Sequence, residues 1–288
     1  MAVVRVAATQ MACDWDLAAN VDRAELLVEE AATLGAQIVL LQELFEAPYF
    51  CQDQLQKHFD LARPFDDNPL IRRMQDVARR LQVVLPVSFF ERAVNSYFNS
   101  LAVIDADGEV LGLYRKSHIP DGPGYQEKFY FSPGDTGFRV WETRFGRIGV
   151  GICWDQWFPE AARIMALMGA EILFYPTAIG SEPPPAAPVD SSGHWQRTMQ
   201  GHAAANMMPL VASNRIGVET GTAGALTFYG SSFIADETGA LVACASRDRQ
   251  EILTADFDLD RIRKARTAWG LFRDRRPDLY GVLTKFHG

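Results

Sequence analysis

Glu43, Lys116 and Cys153 each stand at, or directly after, the end of an apolar segment that is typical of a buried strand. Their side chains supply a carboxylate, an ammonium group and a thiol. A thiol that attacks a carbonyl carbon needs a base to take its proton, and the oxyanion that forms needs a cation and backbone donors. If the fold brings the three strand ends together, these residues predict acyl transfer through a thioester.

The segment around Cys153 is the one on which this prediction depends most. The run Ile148-Gly-Val-Gly-Ile-Cys indicates a buried strand whose last residue reaches the edge of a sheet. Pro159 suits the first turn of a following helix, and Gly169 suits its end. The apolar positions between them are Ile164, Leu167 and Met168. The dipole of that helix would lower the pKa of the thiol; a buried cysteine that serves as a small apolar residue is the alternative.

Glu43 and Lys116 are each carried by a strand in the first half of the chain. Residues 38–43 are mostly apolar before the terminal Glu43, whose pKa burial would raise towards that of a useful base. Lys116 follows the second strand of a predicted hairpin. A solvated side chain is the alternative for each residue taken alone. His118 invites a Cys/His pair, but no local signature of the papain type surrounds Cys153.

Strands and helices alternate along the chain, which predicts a mixed sheet with helices outside it. We predict strands over 3–9, 38–43, 83–90, 100–104, 109–115, 140–141, 147–153, 171–175, 209–213, 228–236, 240–245 and 251–257. We predict helices over 20–34, 69–82, 159–168, 192–206 and 259–268. No linker divides these elements, so we expect one domain over residues 1–288.

The composition limits the kinds of partner. A formal charge of −8 over 288 residues argues against a nucleic-acid partner, which would favour a basic face, and permits a cationic substrate. No apolar run approaches the ~18 residues that span a bilayer, and the four cysteines lack the spacing of a disulfide framework or a zinc site. We therefore expect a cytoplasmic protein that needs no membrane, metal or cofactor.

Three motifs carry a resemblance to a known family: LLQELF around Glu43, LYRKSHIP around Lys116 and GVGICWDQWFPE around Cys153. The chain resembles the nitrilase superfamily of carbon-nitrogen hydrolases over nearly its whole length, including the RRPDLY tail. The resemblance implies an α/β fold, a four-layer α-β-β-α sandwich, and a Glu-Lys-Cys triad of these three residues. It also implies a further catalytic glutamate at Glu127, within QEKFYFSPGD, and a homo-oligomer built from dimers. The tail, 270–288, is expected to pack on the body or on a neighbouring subunit.

Within the superfamily, QGHAAANMMPLVASNRIG, KSHIPDGPGYQEKFYFSPGDTGF and CWDQWFPE are similar to the branch that hydrolyses N-carbamoylputrescine to putrescine, ammonia and carbon dioxide. Relatives that act on carbamoyl amino acids carry arginines soon after the nucleophile, where Gln156 and Trp157 stand here. A site without that positive charge and with acidic loops favours a substrate with a cationic amine tail. Glu182 and Asp121 are the candidates to bind the amine. The candidates to line an apolar channel are Tyr49, Trp154 and Trp157.

Two alternatives remain open. One is another carbon-nitrogen hydrolase of the superfamily that acts on a carbamoyl amino acid, a β-ureido acid or an ω-amide, which a screen for ammonia release would separate. The other is a binding or interaction module without catalysis. It would be favoured if one of Glu43, Lys116 and Cys153 were missing, and the sequence contains all three.

Overall fold

The computed structural model describes residues 3–181, 190–222 and 224–288, and its elements follow the predicted alternation of strands and helices. The strands are β1 (Val3–Gln10), β2 (Ile38–Leu40), β3 (Leu85–Ala93), β4 (Ser96–Ile104), β5 (Val110–Arg115), β6 (Val140–Thr143), β7 (Gly146–Val150), β8 (Ile172–Pro176), β9 (Leu210–Ser213), β10 (Ile216–Thr220), β11 (Ala225–Tyr229), β12 (Phe233–Ala235), β13 (Leu241–Cys244) and β14 (Glu251–Asp258). The helices are α1 (Leu17–Thr33), α2 (Pro69–Leu81), α3 (Pro159–Leu167), α4 (Ser192–Asn206) and α5 (Leu259–Trp269).

Two layers of strands form the centre of the protein. In the first layer, β14-β1-β2 and β3-β4-β5 are joined by a parallel bridge between Ile38 and Val84. The second layer is a six-stranded sheet in the order β13-β12-β9-β8-β7-β6, in which β7, β8 and β9 run parallel. Each layer mixes parallel and antiparallel pairs, as the order of the elements predicts.

Three apolar cores separate four layers. Successive residues of a strand face opposite sides, so Val6 of β1 joins the core between the strand layers while Ala7 joins the core under α1 and α2. In β8, Phe174 faces the central core and Leu173 faces the core under α3 and α4. The architecture is therefore a four-layer α-β-β-α sandwich.

The sequence signals at the helix ends are confirmed. The Asn68 carboxamide oxygen accepts a hydrogen bond of 2.9 Å from the Leu70 backbone N–H at the start of α2. Asp258 caps α5 in the same way, with 2.9 Å to the Arg261 N–H. Gly169 follows α3 with a φ of 97°, in the left-handed region that favours glycine. No helix in the described ranges is both long and apolar enough to cross a membrane.

Helix α3 buries mainly small residues. Its buried residues are Ala161, Ala162, Met165 and Ala166. The apolar residues that the sequence shows at helical spacing are exposed: Ile164, Leu167 and, directly after the helix, Met168. Small alanine side chains allow a helix to lie close to its neighbours, so the larger apolar residues of α3 are left on the outer face.

The strand predicted over 228–236 is in fact two strands, β11 and β12. The chain turns between them at Gly230 and Ser231, whose φ angles are 55° and 52°. A Cβ atom at Gly230 would lie 2.6 Å from the Arg247 carbonyl oxygen, so this close approach requires glycine. The pattern also failed to predict β10, which pairs with β11 as an antiparallel hairpin.

Candidate active site

The two layers of strands bring Glu43, Lys116 and Cys153 into one buried region. Glu43 follows β2 and Lys116 follows β5, and the Lys116 Nζ atom lies 2.8 Å from the Glu43 Oε1 atom. Both side chains are fully buried. Cys153 follows β7 of the other strand layer, and it lies close enough for both charges to act on the pKa of its thiol. The structure thus brings Glu43 and Lys116 into direct contact, directly after β5 for Lys116 and three residues beyond the end of β2 for Glu43, while Cys153 stands three residues beyond the end of β7.

Glu127 completes a buried cluster around the ammonium group. It begins a 3-10 turn, Glu127–Phe129, and its Oε2 and Oε1 atoms lie 2.7 and 2.9 Å from Lys116 Nζ. Burial alone would lower the pKa of Lys116, but Glu127 and Glu43 outweigh it and raise that pKa well above its ordinary value. Burial raises the pKa of Glu127 to about 7 against the opposing effect of Lys116. Lys116 is thus held as a cation between two carboxyl groups.

The two carboxylate oxygens of Glu43 have different surroundings. Oε1 accepts hydrogen bonds from Lys116 and, at 2.7 Å, from the Asn99 side-chain amide. Oε2 is buried and has no hydrogen-bond partner among the described residues. A buried acceptor without a partner is uncommon, and it is suited to receive a proton from a group that arrives during a reaction.

The thiol of Cys153 stands on a tight turn. Its φ is 41°, which is uncommon for a residue other than glycine, and it begins the 3-10 turn Cys153–Trp157. Burial raises the pKa of the thiol well above its ordinary value, and the carboxylate of Glu43 raises it further. The expectation that a helix dipole lowers this pKa is wrong, because the sulfur is buried and the 3-10 turn lies between it and α3. Burial and Glu43 therefore favour the neutral thiol over the thiolate.

Arg215 holds the backbone around Glu43, and the sequence patterns did not single it out. Its guanidinium donates to the carbonyl oxygens of Glu43 at 2.8 Å and Leu44 at 3.2 Å. Leu44 has a φ of 48°, so the chain leaves Glu43 in a conformation that needs such support. The Arg215 side chain is fully buried and pairs with Glu219 at 2.8 Å. The one available signal was a charged residue soon after the apolar strand β9.

Tyr49 is buried beside the cluster and also lines a cavity of about 290 Å³. The tyrosine is buried, and its hydroxyl donates a hydrogen bond of 2.7 Å to Glu127 Oε1. Its backbone N–H donates to Glu219 at 2.5 Å, which links it to Arg215. Tyr49 therefore connects Glu127 to the pair formed by Arg215 and Glu219.

The other predicted substrate-binding residues lie further out. Trp154 follows the nucleophile, is 39% exposed and packs edge-on against Trp157 with 6.1 Å between ring centroids. Asp121 is exposed and lines a cavity of about 450 Å³ together with Gln126. The structure does not bring that carboxylate into the charged cluster. Glu182 lies outside the described residues.

Comparisons with known proteins indicate one family. The family model described as "Carbon-nitrogen hydrolase" matches residues 5–267. N-carbamoylputrescine amidase of Solanum tuberosum is 61% identical over 99% of this chain and 96% of that protein, and citrullinase of Francisella tularensis is 53% identical over 99% of each. The crystal structure of a carbon-nitrogen hydrolase from Helicobacter pylori G27 superposes with a TM-score of 0.92 at 42% identity, covering 99% of this chain and 100% of that one. The chain belongs to the carbon-nitrogen hydrolase family.

Proposed function

We propose that this protein hydrolyses N-carbamoylputrescine to putrescine, ammonia and carbon dioxide through a thioester on Cys153. The observation that carries the reaction type is the buried cluster in which Lys116 lies 2.7 to 2.9 Å from the carboxyl oxygens of Glu43 and Glu127, next to a thiol. The choice of substrate is supported by the 61% identity, over nearly full length, to the amidase of Solanum tuberosum.

In the first step, the Cys153 sulfur attacks the ureido carbon and Glu43 takes the thiol proton. Glu43 Oε2 is suited to this because it has no other partner among the described residues. The carbonyl oxygen becomes an oxyanion, which the positive charge of Lys116 and the backbone N–H of Trp154 stabilise. Because burial and Glu43 raise the pKa of the thiol, Glu43 has to take its proton before or during the attack.

The tetrahedral intermediate then collapses. Glu43 returns its proton to the leaving nitrogen, ammonia departs, and the substrate carbon remains bound to sulfur as a thioester. Water activated by Glu43 cleaves the thioester and restores the thiol. The product is a carbamate, which decays to putrescine and carbon dioxide. Glu127 keeps Lys116 charged and in place through this cycle, with Tyr49 holding Glu127.

Hydrolysis of citrulline is the second candidate, and the 53% identity to the citrullinase of Francisella tularensis favours it. Both molecules carry a terminal ureido group and an amine, but citrulline adds an α-carboxylate. Gln156 is buried and uncharged, and its side chain accepts from Thr177 at 2.8 Å. It therefore offers no cation to that carboxylate, which supports the decarboxylated substrate.

The test is ammonia release from N-carbamoylputrescine, citrulline, a β-ureido acid and an ω-amide under identical conditions. We expect kcat/KM for N-carbamoylputrescine to exceed that for citrulline by about 10²-fold or more, because a buried site that leaves a charge unpaired discriminates strongly. A larger kcat/KM for citrulline would assign the second function. Release from none of the four would contradict the proposed function.

We further propose that residues 1–288 form one domain that acts in the cytoplasm as a homo-oligomer. Oligomerisation is supported by the tail, where Leu279, Val282, Leu283 and Phe286 are all exposed, the last at 111%. The cytoplasm is supported by four free cysteines. Light scattering of the full chain and of a chain ending at residue 276 tests oligomerisation through the tail: the shorter chain should form a smaller assembly.

A further inference from the structure

Asp155 is a buried carboxylate two residues after the nucleophile that the proposed mechanism does not use. Its side chain is fully buried, and its two oxygens accept hydrogen bonds from three residues. Oδ2 accepts from the Ile152 backbone N–H at 2.9 Å and from the Tyr114 hydroxyl at 2.7 Å. Oδ1 accepts from the His118 backbone N–H at 3.0 Å and lies 2.7 Å from its Nδ1 atom. A buried carboxylate with this many partners is held in one orientation.

The hydrogen bonds of Asp155 close the turn on which Cys153 stands. The Asp155 carboxylate binds the Ile152 N–H, while the Asp155 backbone N–H donates to the Ile152 carbonyl oxygen at 3.0 Å. These two bonds span Cys153, whose φ of 41° is unfavourable for a side-chain-bearing residue. The packing below the turn is tight as well: a Cβ atom at Gly151 would lie 3.2 Å from the Asp155 Cβ atom. Asp155 therefore stabilises the strained conformation of the nucleophile.

The remaining partners of Asp155 come from the other strand layer. Tyr114 lies in β5, and His118 follows it, so the two residues stand two positions before and two positions after Lys116. The His118 ring stacks on Phe158 with 3.6 Å between centroids and an angle of 7°, which fixes the ring against the chain that follows the turn. The Asp155 carboxylate thus binds a residue on each side of Lys116. Together with the Asp155 backbone N–H, it also closes the turn around Cys153.

We propose that Asp155 is a positioning residue that sets the distance and orientation between the Cys153 sulfur and the Lys116 ammonium group. The nucleophile comes from one strand layer and the cation from the other, and Asp155 joins the two segments where they meet. This inference rests on the proposed function of both residues. It predicts that loss of Asp155 lowers the rate of the chemical step without weakening substrate binding, because Asp155 has no contact with Glu43, Lys116 or Glu127 among the hydrogen bonds of the described residues.

The principal variant is Asp155→Asn, which keeps the size of the side chain. Each carboxylate oxygen of Asp155 faces two hydrogen-bond donors, and the substitution replaces one of these oxygens by an NH₂ group, which is itself a donor. We expect kcat to fall by about 10²-fold with KM within about threefold of the original, since a small misplacement of reacting groups costs this much. Tyr114→Phe and His118→Phe each remove one side-chain hydrogen bond and should lower kcat by about three- to tenfold. Combining either with Asp155→Asn should add little, because all three substitutions break the same connection.

Asp236→Asn is the matched control. Asp236 accepts hydrogen bonds from the Thr238 N–H, the Thr238 hydroxyl and the Ala240 N–H within a turn remote from the cluster. Its kcat and KM should match the original protein. Circular dichroism and thermal melting of every variant give the folded fraction, and kcat is expressed per folded molecule so that lost stability does not imitate a catalytic defect.

An unchanged kcat per folded Asp155→Asn molecule, or a loss that appears in KM alone, would overturn the inference. Should Asp155→Asn fail to fold, the two phenylalanine variants decide: an unchanged kcat in both overturns it, and a lower kcat with unchanged KM supports it. Turnover by the original protein is measured first on the four substrates named above. If the protein hydrolyses one of the other three substrates instead, the proposal of N-carbamoylputrescine as the substrate is wrong. The variants are then compared on the substrate that is hydrolysed, so the inference about Asp155 is still tested.

Discussion

Two regions of the site differ in how the fold holds them. The inner cluster consists of Glu43, Asn99, Lys116 and Glu127. The outer rim consists of Asp121, Trp154 and Trp157. Every member of the inner cluster is buried and joined to another at 2.7 to 2.9 Å, whereas the rim residues lie on connecting segments and are exposed or half-buried. Buried charges persist when they are paired and hydrogen-bonded, so folding itself fixes the reaction chemistry. The rim residues are not buried charges that need a partner. We therefore expect that substitutions at the rim can change which substrate is used without abolishing the reaction.

The comparison predicts that the largest effects follow from the thiol and its base. Cys153→Ala should abolish ammonia release, and Glu43→Gln should lower kcat by about 10³-fold or more, because the amide cannot accept the thiol proton. Far-ultraviolet circular dichroism should be unchanged for Cys153→Ala. Residual turnover above about one part in 10³ in a folded Cys153→Ala variant would contradict the thioester mechanism.

The next largest effect concerns stability rather than rate. Lys116→Met should lower the free energy of unfolding by about 3–5 kcal/mol, because it leaves the carboxyl groups of Glu43 and Glu127 buried without their cation. Arg249→Met is the control: this arginine pairs with Glu251 at 3.1 Å, but its side chain is 75% exposed, so its loss should cost less than about 1 kcal/mol. Urea unfolding of both variants tests the contrast. Equal losses would show that the inner cluster is not held by its charges.

The pH dependence of stability sharpens the same contrast. Burial raises the pKa of Glu127 from 4.5 to about 7, so between these values the folded protein keeps a proton that the unfolded chain has lost. The contribution of Glu127 is fully present below pH 4.5 and is lost as the pH rises through about 7, by about 3 kcal/mol. Glu127→Gln should remove this decline from urea unfolding curves recorded across that window. An identical decline in both proteins would contradict the assignment to Glu127.

The sequence singles out Glu43, Lys116 and Cys153 for a physical reason. An apolar run that ends in a single charged or nucleophilic residue marks both a buried strand and the edge at which it ends, and this placed Glu43, Lys116 and Cys153 together. The layered fold follows from the same alternation of elements. The family resemblance, rather than the spacing, supplied Glu127, which reaches Lys116 from the long loop after β5.

The sequence could not predict which residues, distant along the chain, donate hydrogen bonds to Glu43. Asn99 reaches Glu43 across 56 positions, and Arg215 reaches the Glu43 backbone across 172 positions. Such partners depend on how the strand layers meet, which no local pattern contains. The buried face of α3 depends on tertiary packing in the same way, since its packing against α4 buries Ala162 and Met165 and leaves Ile164 and Leu167 exposed.

The smallest effects are expected for the two acidic residues that are candidates to bind the amine, Asp121 and Glu182. Glu182→Gln should lower kcat/KM for N-carbamoylputrescine by about tenfold, the value of one charge-assisted contact to the amine. Asp121→Asn should change it by less than about threefold, because Asp121 is exposed and an ion pair in solvent contributes little. N-butylurea, which has the ureido group without the amine, is the control substrate and should be unaffected by either substitution. An equal loss on N-butylurea would mean that Glu182 acts on the reaction itself, and it would remove Glu182 as the residue that binds the amine.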